Sequence, residues 1–407
     1  MPGIIIDVLY LFFAAVTTYF LLIFLLLYSR NKSQLRLTPK LFRFPSVSII
    51  VPAYNEQDAI TSTLKSLNAL NYPKDKLEII VVDDGSEDNT YEVAKRFKNV
   101  KVLCKEKGGK ANALNFGLSK AKGEIVACVD SDSHPRPDAL LKSIPFFNDS
   151  SVAGVTTSIF ANRPKNLLET LQWLEYSMIV WSRKLLEFLD AVYVTPGPLS
   201  LYRKNALIKV GGFDAKNMTE DIEIAWRLLS KGYKIKMATE AKTYTNIPNK
   251  LKAWWRQRIR WNIGGMQTMM KYKHTFLKSN YGVLGSFIWP FFSISYVLSL
   301  LGLGLFTYII LRSIFNQLSF IVQATIIGVN PLKHWQFWII PDVFTIFGIF
   351  VFLLSITWVK ISLDLTKEKH KPRNLFDYLI YLTFYITIFP ANLFESIWRY
   401  ATRRFKW

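Results

Sequence analysis

Between Ile4 and Leu27 this chain carries a single charge, Asp7, in an otherwise unbroken apolar run. Inside a bilayer such a run satisfies its backbone N–H and C=O groups only as a helix, and this one is long enough to cross. It has neither a basic leading region nor a small-residue cleavage site, so it is expected to remain as an anchor and not to be removed as a signal peptide. Arg30, Lys32, Arg36, Lys40 and Arg43 follow with no acid between them. Basic residues prefer the cytoplasmic side, so the start of the chain is expected outside and the middle region inside.

The other end carries the same constraint. Tyr281 to Leu311 and Phe337 to Val359 are expected to span, and the shorter Leu318 to Val329 to be re-entrant or interfacial. Lys367, Lys369, Lys371 and Arg373 mark a cytoplasmic loop. Phe376 to Trp398 is apolar except for Asp377 and Glu395, is interrupted by Pro390, and ends in Arg399, Arg403, Arg404 and Lys406. If both basic groups lie inside, this segment must double back, so a helical hairpin at Pro390 is expected. The whole reads as a multi-pass integral membrane protein.

Between the apolar ends the composition is ordinary for a globular domain. A formal net charge of +21 beside 50% hydrophobic residues fits neither a disordered chain nor an ordinary soluble enzyme. No nucleic-acid motif accompanies the basic excess, so no nucleic-acid partner is expected. Anionic membrane lipids and a phosphorylated substrate account for it. Cys104 and Cys128 lie in apolar strand-like runs and read as small buried hydrophobes. His134, His274, His334 and His370 have no zinc spacing.

From Pro45 short apolar runs alternate with helical stretches: strands at Val47 to Val51, Leu77 to Val82, Val100 to Cys104 and Glu124 to Asp130. That alternation predicts a parallel, doubly wound sheet. The fourth strand ends in Asp130-Ser131-Asp132. Ligands bind at strand ends of such sheets, and two outward carboxylates there can hold a hard divalent cation. The alternative is a solvated strand-to-loop corner. Further on, Asn166 to Leu189 and Lys252 to Lys273 are amphipathic and too charged to span. They suit helices lying at the membrane interface or, alternatively, core helices of the domain.

Four further elements accompany the two aspartates. Pro52-Ala-Tyr54-Asn-Glu56 and Asp83-Asp84-Gly-Ser end the first two strands, where acids can accept hydrogen bonds from a ribose hydroxyl and a base imide. Gly108-Gly-Lys110 allows close backbone approach and supplies a point charge for phosphate, without Walker spacing. Thr219-Glu220-Asp221 precedes a helix from Ile222 to Leu229, and Gln257-Arg-Ile-Arg260-Trp261 places an amide, a guanidinium and an indole on about one helical turn. Each alone has a plain alternative: a turn at Asp84-Gly85, a helix cap at Thr219, an interfacial anchor at Arg260 and Trp261.

In this order the motifs resemble the membrane-integrated family 2 glycosyltransferases: the cellulose, chitin, hyaluronan and poly-N-acetylglucosamine synthases. Val-Val-Asp-Asp-Gly-Ser, Asp-Ser-Asp, Thr-Glu-Asp and Gln-x-x-Arg-Trp are that family's ordered signature, the last being associated with processive synthases. Thr219 to Leu228 looks most like the poly-N-acetylglucosamine branch, whereas Thr195-Pro-Gly-Pro-Leu looks closer to hyaluronan synthases. The resemblance implies an α/β fold: a GT-A (Rossmann-like) cytosolic domain with interfacial amphipathic helices, plus an α-helical transmembrane region. Boundaries are expected at 1–29 for the first membrane helix, 30–250 for the catalytic domain, 251–280 for the interfacial helices and 281–407 for the second membrane region.

The resemblance further implies inverting transfer of a sugar from a nucleotide donor, UDP-GlcNAc or UDP-Glc, to a growing β-linked polysaccharide, coupled to its translocation. Asp221 would be the general base, with Glu220 and Thr219 orienting it or the acceptor. Asp132 and Asp130 would hold Mg²⁺ or Mn²⁺ against the diphosphate. Pro52, Tyr54, Glu56, Asp83, Asp84, Lys110, Asp130 and Arg260 would bind the donor, and Gln257 and Trp261 the acceptor. The competing reading is transfer of one sugar to a polyprenyl phosphate or other lipid acceptor, for which the same fold, metal and base would serve.

Overall fold

The computed structural model describes residues 2–328, 330, 343–366 and 375–405. The basic loop Lys367 to Arg373, the first residues of the Phe337 to Val359 stretch, His334 and Lys406 lie outside the described residues. The chain begins with helix α1 (Pro2–Asn31). Strands and helices then alternate: β1 (Val47–Ala53), α2 (Ile60–Asn68), β2 (Leu77–Asp83), α3 (Thr90–Lys95), β3 (Val100–Cys104), α4 (Lys110–Lys120) and β4 (Ile125–Cys128). The second half of the domain holds β5 (Ser133–Pro135), α5 (Ala139–Ser143), β6 (Val152–Ala161) and α6 (Leu167–Glu187). It continues with β7 (Ser200–Arg203), α7 (Lys204–Lys209), α8 (Glu220–Ser230), β8 (Lys234–Thr245) and α9 (Leu251–Lys271). Three long helices follow: α10 (Trp289–Ile326), α11 (Val343–Thr366) and α12 (Leu375–Ala401).

All eight strands form one sheet in the order β3-β2-β1-β4-β7-β6-β8-β5. β1 to β4 run parallel, as the alternation predicts, because each connection contains a helix that returns the chain to the same edge. Beyond β4 the sheet becomes mixed: β7 is antiparallel to both β4 and β6, and β5 is antiparallel to β8. β1 is buried from end to end, because helices cover both faces of the sheet. Ile49, Ile50 and Val51 are fully buried, each contributing about 1.5–3 kcal/mol by leaving water. Strand order reverses between β1 and β4, and the acid-bearing loops after these two strands open at that crevice.

α6 starts with a capping box, Asn166 accepting from the Glu169 amide and Glu169 from the Asn166 amide. It is a core helix, one of the two alternatives the amphipathic pattern allowed, and it is buried on two faces. One face packs on β6 and β8. The other carries Trp181, which stacks on Phe24 of α1 at 6.2 Å and meets Trp358 of α11 at 4.2 Å. Lys184 and Glu187, both buried on α6, pair with each other at 2.7 Å.

Among the described residues three helices are long and apolar enough to cross a membrane: Val8–Gln34, Leu284–Ile326 and Phe376–Ala401. Two expectations are corrected here. Leu318 to Ile326 is not a separate re-entrant piece, because it continues α10 without a break, an apolar run with no helix-breaking residue in it. Nor is there a hairpin at Pro390: α12 runs straight through it. Side-chain hydrogen bonds hold the helix on both flanks of the proline, Tyr385 to Glu175 at 2.6 Å and Asn392 to the Trp255 carbonyl at 3.0 Å. They offset the one backbone bond that proline removes.

Candidate active site

A cavity of about 640 Å³ opens at the crevice between β1 and β4. Pro52, Tyr54, Glu56, Asp84, Lys110, Asp130, Asp132, Thr219, Glu220, Asp221, Gln257, Arg260 and Trp261 all line it. Six separate stretches of sequence thus meet around one space.

The strand ends build the first wall. Asp84, 4% exposed, accepts from the Gly108 amide at 3.0 Å, the Gly109 amide at 2.6 Å and Lys105 Nζ at 2.7 Å. Its carboxylate therefore shapes the glycine loop that begins α4 and delivers Lys110. Asp83 is absent from the cavity wall: it is buried, and accepts from the Ser86 hydroxyl at 2.5 Å within its own turn. Asp84, Glu56 and Tyr54 line the cavity on this side. The Tyr54 ring lies 4.2 Å from Lys107 Nζ, which also donates to its hydroxyl at 2.7 Å.

The carboxylates of the cavity are unevenly compensated. Lys110 Nζ lies 2.6 Å from Asp130 and 3.0 Å from Glu220, bridging β4 to α8. Burial opposes its charge, but Asp130, Glu220 and Asp221 outweigh that and raise its pKa. Glu220 is buried, yet Lys110 holds its pKa low. Among the described residues Asp132 pairs with no such cation and accepts from Ser133 at 3.2 Å and Thr245 at 3.3 Å. Burial, then Asp130, pushes its pKa up, and Glu56 is lifted to about 7 by burial, Asp132 and Asp130. Oxygen donors with mutually repelling charges suit a hard divalent cation. Among the described residues no three His, Cys, Asp or Glu side chains form a complete metal shell. Two protein carboxylates with the remaining positions left to substrate oxygens match how Mg²⁺ is commonly held.

Asp221 sits at the start of α8, half-buried. Burial and then Glu220 push its pKa up to about 6. Its backbone carbonyl accepts from the amide and hydroxyl of Thr195, which fixes the Thr195-Pro-Gly-Pro loop over the site. Gly197 of that loop has no room for a side chain: a Cβ there would strike Lys110 Nζ and lie 2.5 Å from Asp130 Oδ2. Thr219 does not cap α8 with its side chain; its hydroxyl lies against Gly264 of α9, where a Cβ would come within 2.7 Å of the Thr219 Cβ. Arg260 reaches the Met218 carbonyl at 3.2 Å and Gln267 accepts from the Met218 amide at 2.9 Å. α9 therefore clamps the Thr-Glu-Asp segment in place.

α9 is in turn fixed by Arg258, between the motif residues Gln257 and Trp261. Its guanidinium, 1% exposed, pairs with Glu175 of α6, donates to Gln257 Oε1 at 2.5 Å and lies 4.1 Å from the Trp261 ring. Tyr385 of α12 donates to the same Glu175 at 2.6 Å. Arg258 and Glu175 were not expected as part of the site. Nor were Arg183, Tyr193 and Phe292, which line the end of the cavity farthest along α6 and α10.

Comparison with known proteins gives this geometry a context. Residues 48–211 match the model of Glycosyl transferase family 2. The poly-beta-1,6-N-acetyl-D-glucosamine synthase of Staphylococcus aureus (strain MSSA476) is 34% identical over 231 residues, covering 55% of this chain and 56% of the relative. The match thus spans about half the length of that relative. The probable glycosyltransferase YdaM of Bacillus subtilis (strain 168) is 29% identical over 369 residues, covering 87% of this chain and 83% of the relative. Among solved structures, the mannosyltransferase PcManGT from Pyrobaculum calidifontis, in complex with GDP-Man and Mn²⁺, superposes with a TM-score of 0.59. It is 22% identical and covers 97% of this chain and 99% of its own, a likeness of fold. The fold is a Rossmann-like GT-A domain with a mixed sheet and a helical C-terminal region.

Proposed function

The chain carries a glycosyl transferase family 2 domain, and on that premise we propose that it transfers a sugar from UDP-GlcNAc or UDP-Glc to a hydroxyl of a growing β-linked polysaccharide at a membrane. The observation that carries this reading is a single cavity that brings together Asp130 and Asp132, Lys110 and Arg260, the Glu220–Asp221 pair and the Trp261 face. The polymer and the GlcNAc unit are favoured by the name of the Staphylococcus relative.

In the reaction the acceptor oxygen forms a bond to the anomeric carbon while the bond from that carbon to the diphosphate breaks. Asp221 accepts the hydroxyl proton, and its raised pKa makes it a stronger base than an exposed aspartate. The diphosphate leaves as an anion, so no second acid is required. Lys110 and Arg260 face the leaving group with fixed positive charge, which needs no reorganisation as charge develops. Asp132, with Asp130, would hold a divalent cation, which when bound neutralises negative charge on the diphosphate. Glu56, Asp84, Tyr54 and Pro52 line the nucleoside end, Asp83 supports it through the Ser86 turn, and Gln257 and Trp261 hold the acceptor, the indole offering a flat surface to a sugar ring. Glu220 and Thr219 position Asp221, one through Lys110 and the other through Gly264. α1 and α10 are long and apolar enough to cross a bilayer, which supports a site at the membrane.

The test is purified full-length protein with Mg²⁺ or Mn²⁺ and a panel of nucleotide sugars, measuring released nucleotide and product length. A ladder of oligomers from a UDP-hexose is the expected result. A single-sugar product with no oligomer would sink the polymer reading, and no nucleotide release from any donor would sink glycosyl transfer itself.

A further inference from the structure

The donor chemistry leaves one end of the cavity unused. There the wall is made by Ile179, Val180 and Arg183 of α6, by Tyr193, and by Phe292 of α10. Tyr193 and Phe292 meet edge-on at 4.6 Å. Arg183 is 6% exposed, and among the described residues its guanidinium makes neither an ion pair nor a hydrogen bond. Other buried cations here are paired: Arg258 with Glu175, and Lys184 with Glu187 at 2.7 Å. Arg183 opens onto the cavity, and its guanidinium fork matches two oxygens of one oxyanion.

The location says which molecule brings that oxyanion. Burial lowers the pKa of Arg183, and the acidic groups that face it are Tyr193 and Asp221. Tyr193 belongs to the segment that Thr195 ties to the Asp221 carbonyl, so this end of the cavity lies toward the proposed base. The surrounding wall is apolar, and the same stretch of α6 packs through Trp181 on Phe24 of α1. We propose that Arg183 is a specificity residue that receives an oxyanion carried by the acceptor, close to its attacking hydroxyl. The first acceptor, on which transfer starts, would then be acidic: either a sugar linked to a lipid phosphate or a glycan bearing a carboxylate. This rests on the glycosyl-transfer reading and not on the polymer reading.

The experiment uses full-length protein in detergent with its active donor and three acceptor arms: a neutral oligosaccharide, a hexuronate-containing oligosaccharide and a sugar linked to a short-chain prenyl diphosphate. The expected result is a kcat/KM for one anionic arm exceeding the neutral arm by about tenfold to a hundredfold, the range of a charge-assisted hydrogen bond. Which anionic arm wins identifies the source of the charge. That preference should collapse in Arg183→Gln and be partly kept in Arg183→Lys. Melting temperature and UDP binding establish that each variant is folded, and the wild-type preference needs no variant at all. Equal use of neutral and anionic acceptors by the wild type would overturn the proposal. So would Arg183→Gln slowing all arms by the same factor, because Arg183 would then act only on Asp221. Failure of the wild type to release nucleotide from any donor would instead remove the underlying reaction.

Discussion

Replacing Glu175 by glutamine removes the carboxylate that holds Arg258, while the guanidinium stays in place at 1% exposure. Glu175 takes Arg258 Nε at 3.3 Å and a second, closer contact from the other guanidinium nitrogen, and also the Tyr385 hydroxyl at 2.6 Å. Glutamine can keep one or two of these hydrogen bonds but not the charge. Leaving one member of a buried ion pair uncompensated costs about 3–5 kcal/mol. Taking the lower bound for the retained bonds, and ~2–4 °C per kcal/mol for a domain of this size, the melting temperature should fall by roughly 6–12 °C. Fluorescence-monitored unfolding of the purified protein measures it. Because Arg258 also touches Gln257 and Trp261, KM for the acceptor should rise while UDP binding is spared. The double variant Glu175→Gln/Arg258→Met, which removes the stranded charge, should regain part of the loss. A melting temperature within about 2 °C of wild type in the single variant would refute the reasoning, since the arginine would then be solvated or paired elsewhere.

Three other outcomes are expected. A base whose pKa is raised to about 6 is protonated and inactive below that pH, so kcat should climb as pH rises through about 6 and then level off. Asp221→Asn should lower turnover by about 10²–10⁴-fold with UDP binding retained, and full activity in that variant would eliminate it as the base. Asp132→Asn should raise the Mg²⁺ or Mn²⁺ concentration needed for half-maximal activity by at least about tenfold, read from a metal titration after chelation. Gly197→Ala should weaken donor binding by about 1–3 kcal/mol, because its Cβ separates Lys110 from Asp130; calorimetry with UDP measures this, and unchanged affinity would show that the loop moves aside freely.

The parts of the site legible in the sequence are those where residue type and strand-end position coincide. Asp130-Ser-Asp132, Lys110 and Asp221 needed only the alternation of strands and helices to be placed on one edge. Supporting residues were not legible in this way. Glu175 and Arg258 are 83 positions apart and meet only because α6 and α9 pack together. Arg183 looks like one more charge on an amphipathic helix. Periodicity marks one apolar face, whereas α6 is buried on both sides, by the sheet and by the long helices. Asp83 and Asp84 are neighbours of one chemical type, and their roles diverge through hydrogen bonds that no spacing encodes.

The unbroken course of α12 alters the topology argument. A hairpin was required only if the segment crosses the membrane and both of its basic flanks lie on one side. The helix instead touches the catalytic layer at several points along its length. Near its start Tyr381 packs with Leu171 and Leu174 of α6. In its middle Phe384 meets Trp254 at 5.1 Å, and toward its end Glu395 accepts from Trp255 Nε1 at 2.7 Å and Asn262 donates to Asn392 at 3.1 Å. A helix that left this layer to cross a bilayer could not keep contacts spread over several turns. A helix lying in the plane of the interface would keep these contacts and hold Arg399, Arg403 and Arg404 on the catalytic side with no turn at Pro390, in agreement with the charge rule. The consequence is measurable in sealed, oriented vesicles with a membrane-impermeant maleimide. Cys104 is exposed on the catalytic domain and marks that side. In a Cys104→Ser background, Phe376→Cys and Arg403→Cys should both be labelled under the conditions that label native Cys104. Labelling of the two from opposite faces would establish that α12 crosses, and the basic tail would then stand as an exception to the charge rule.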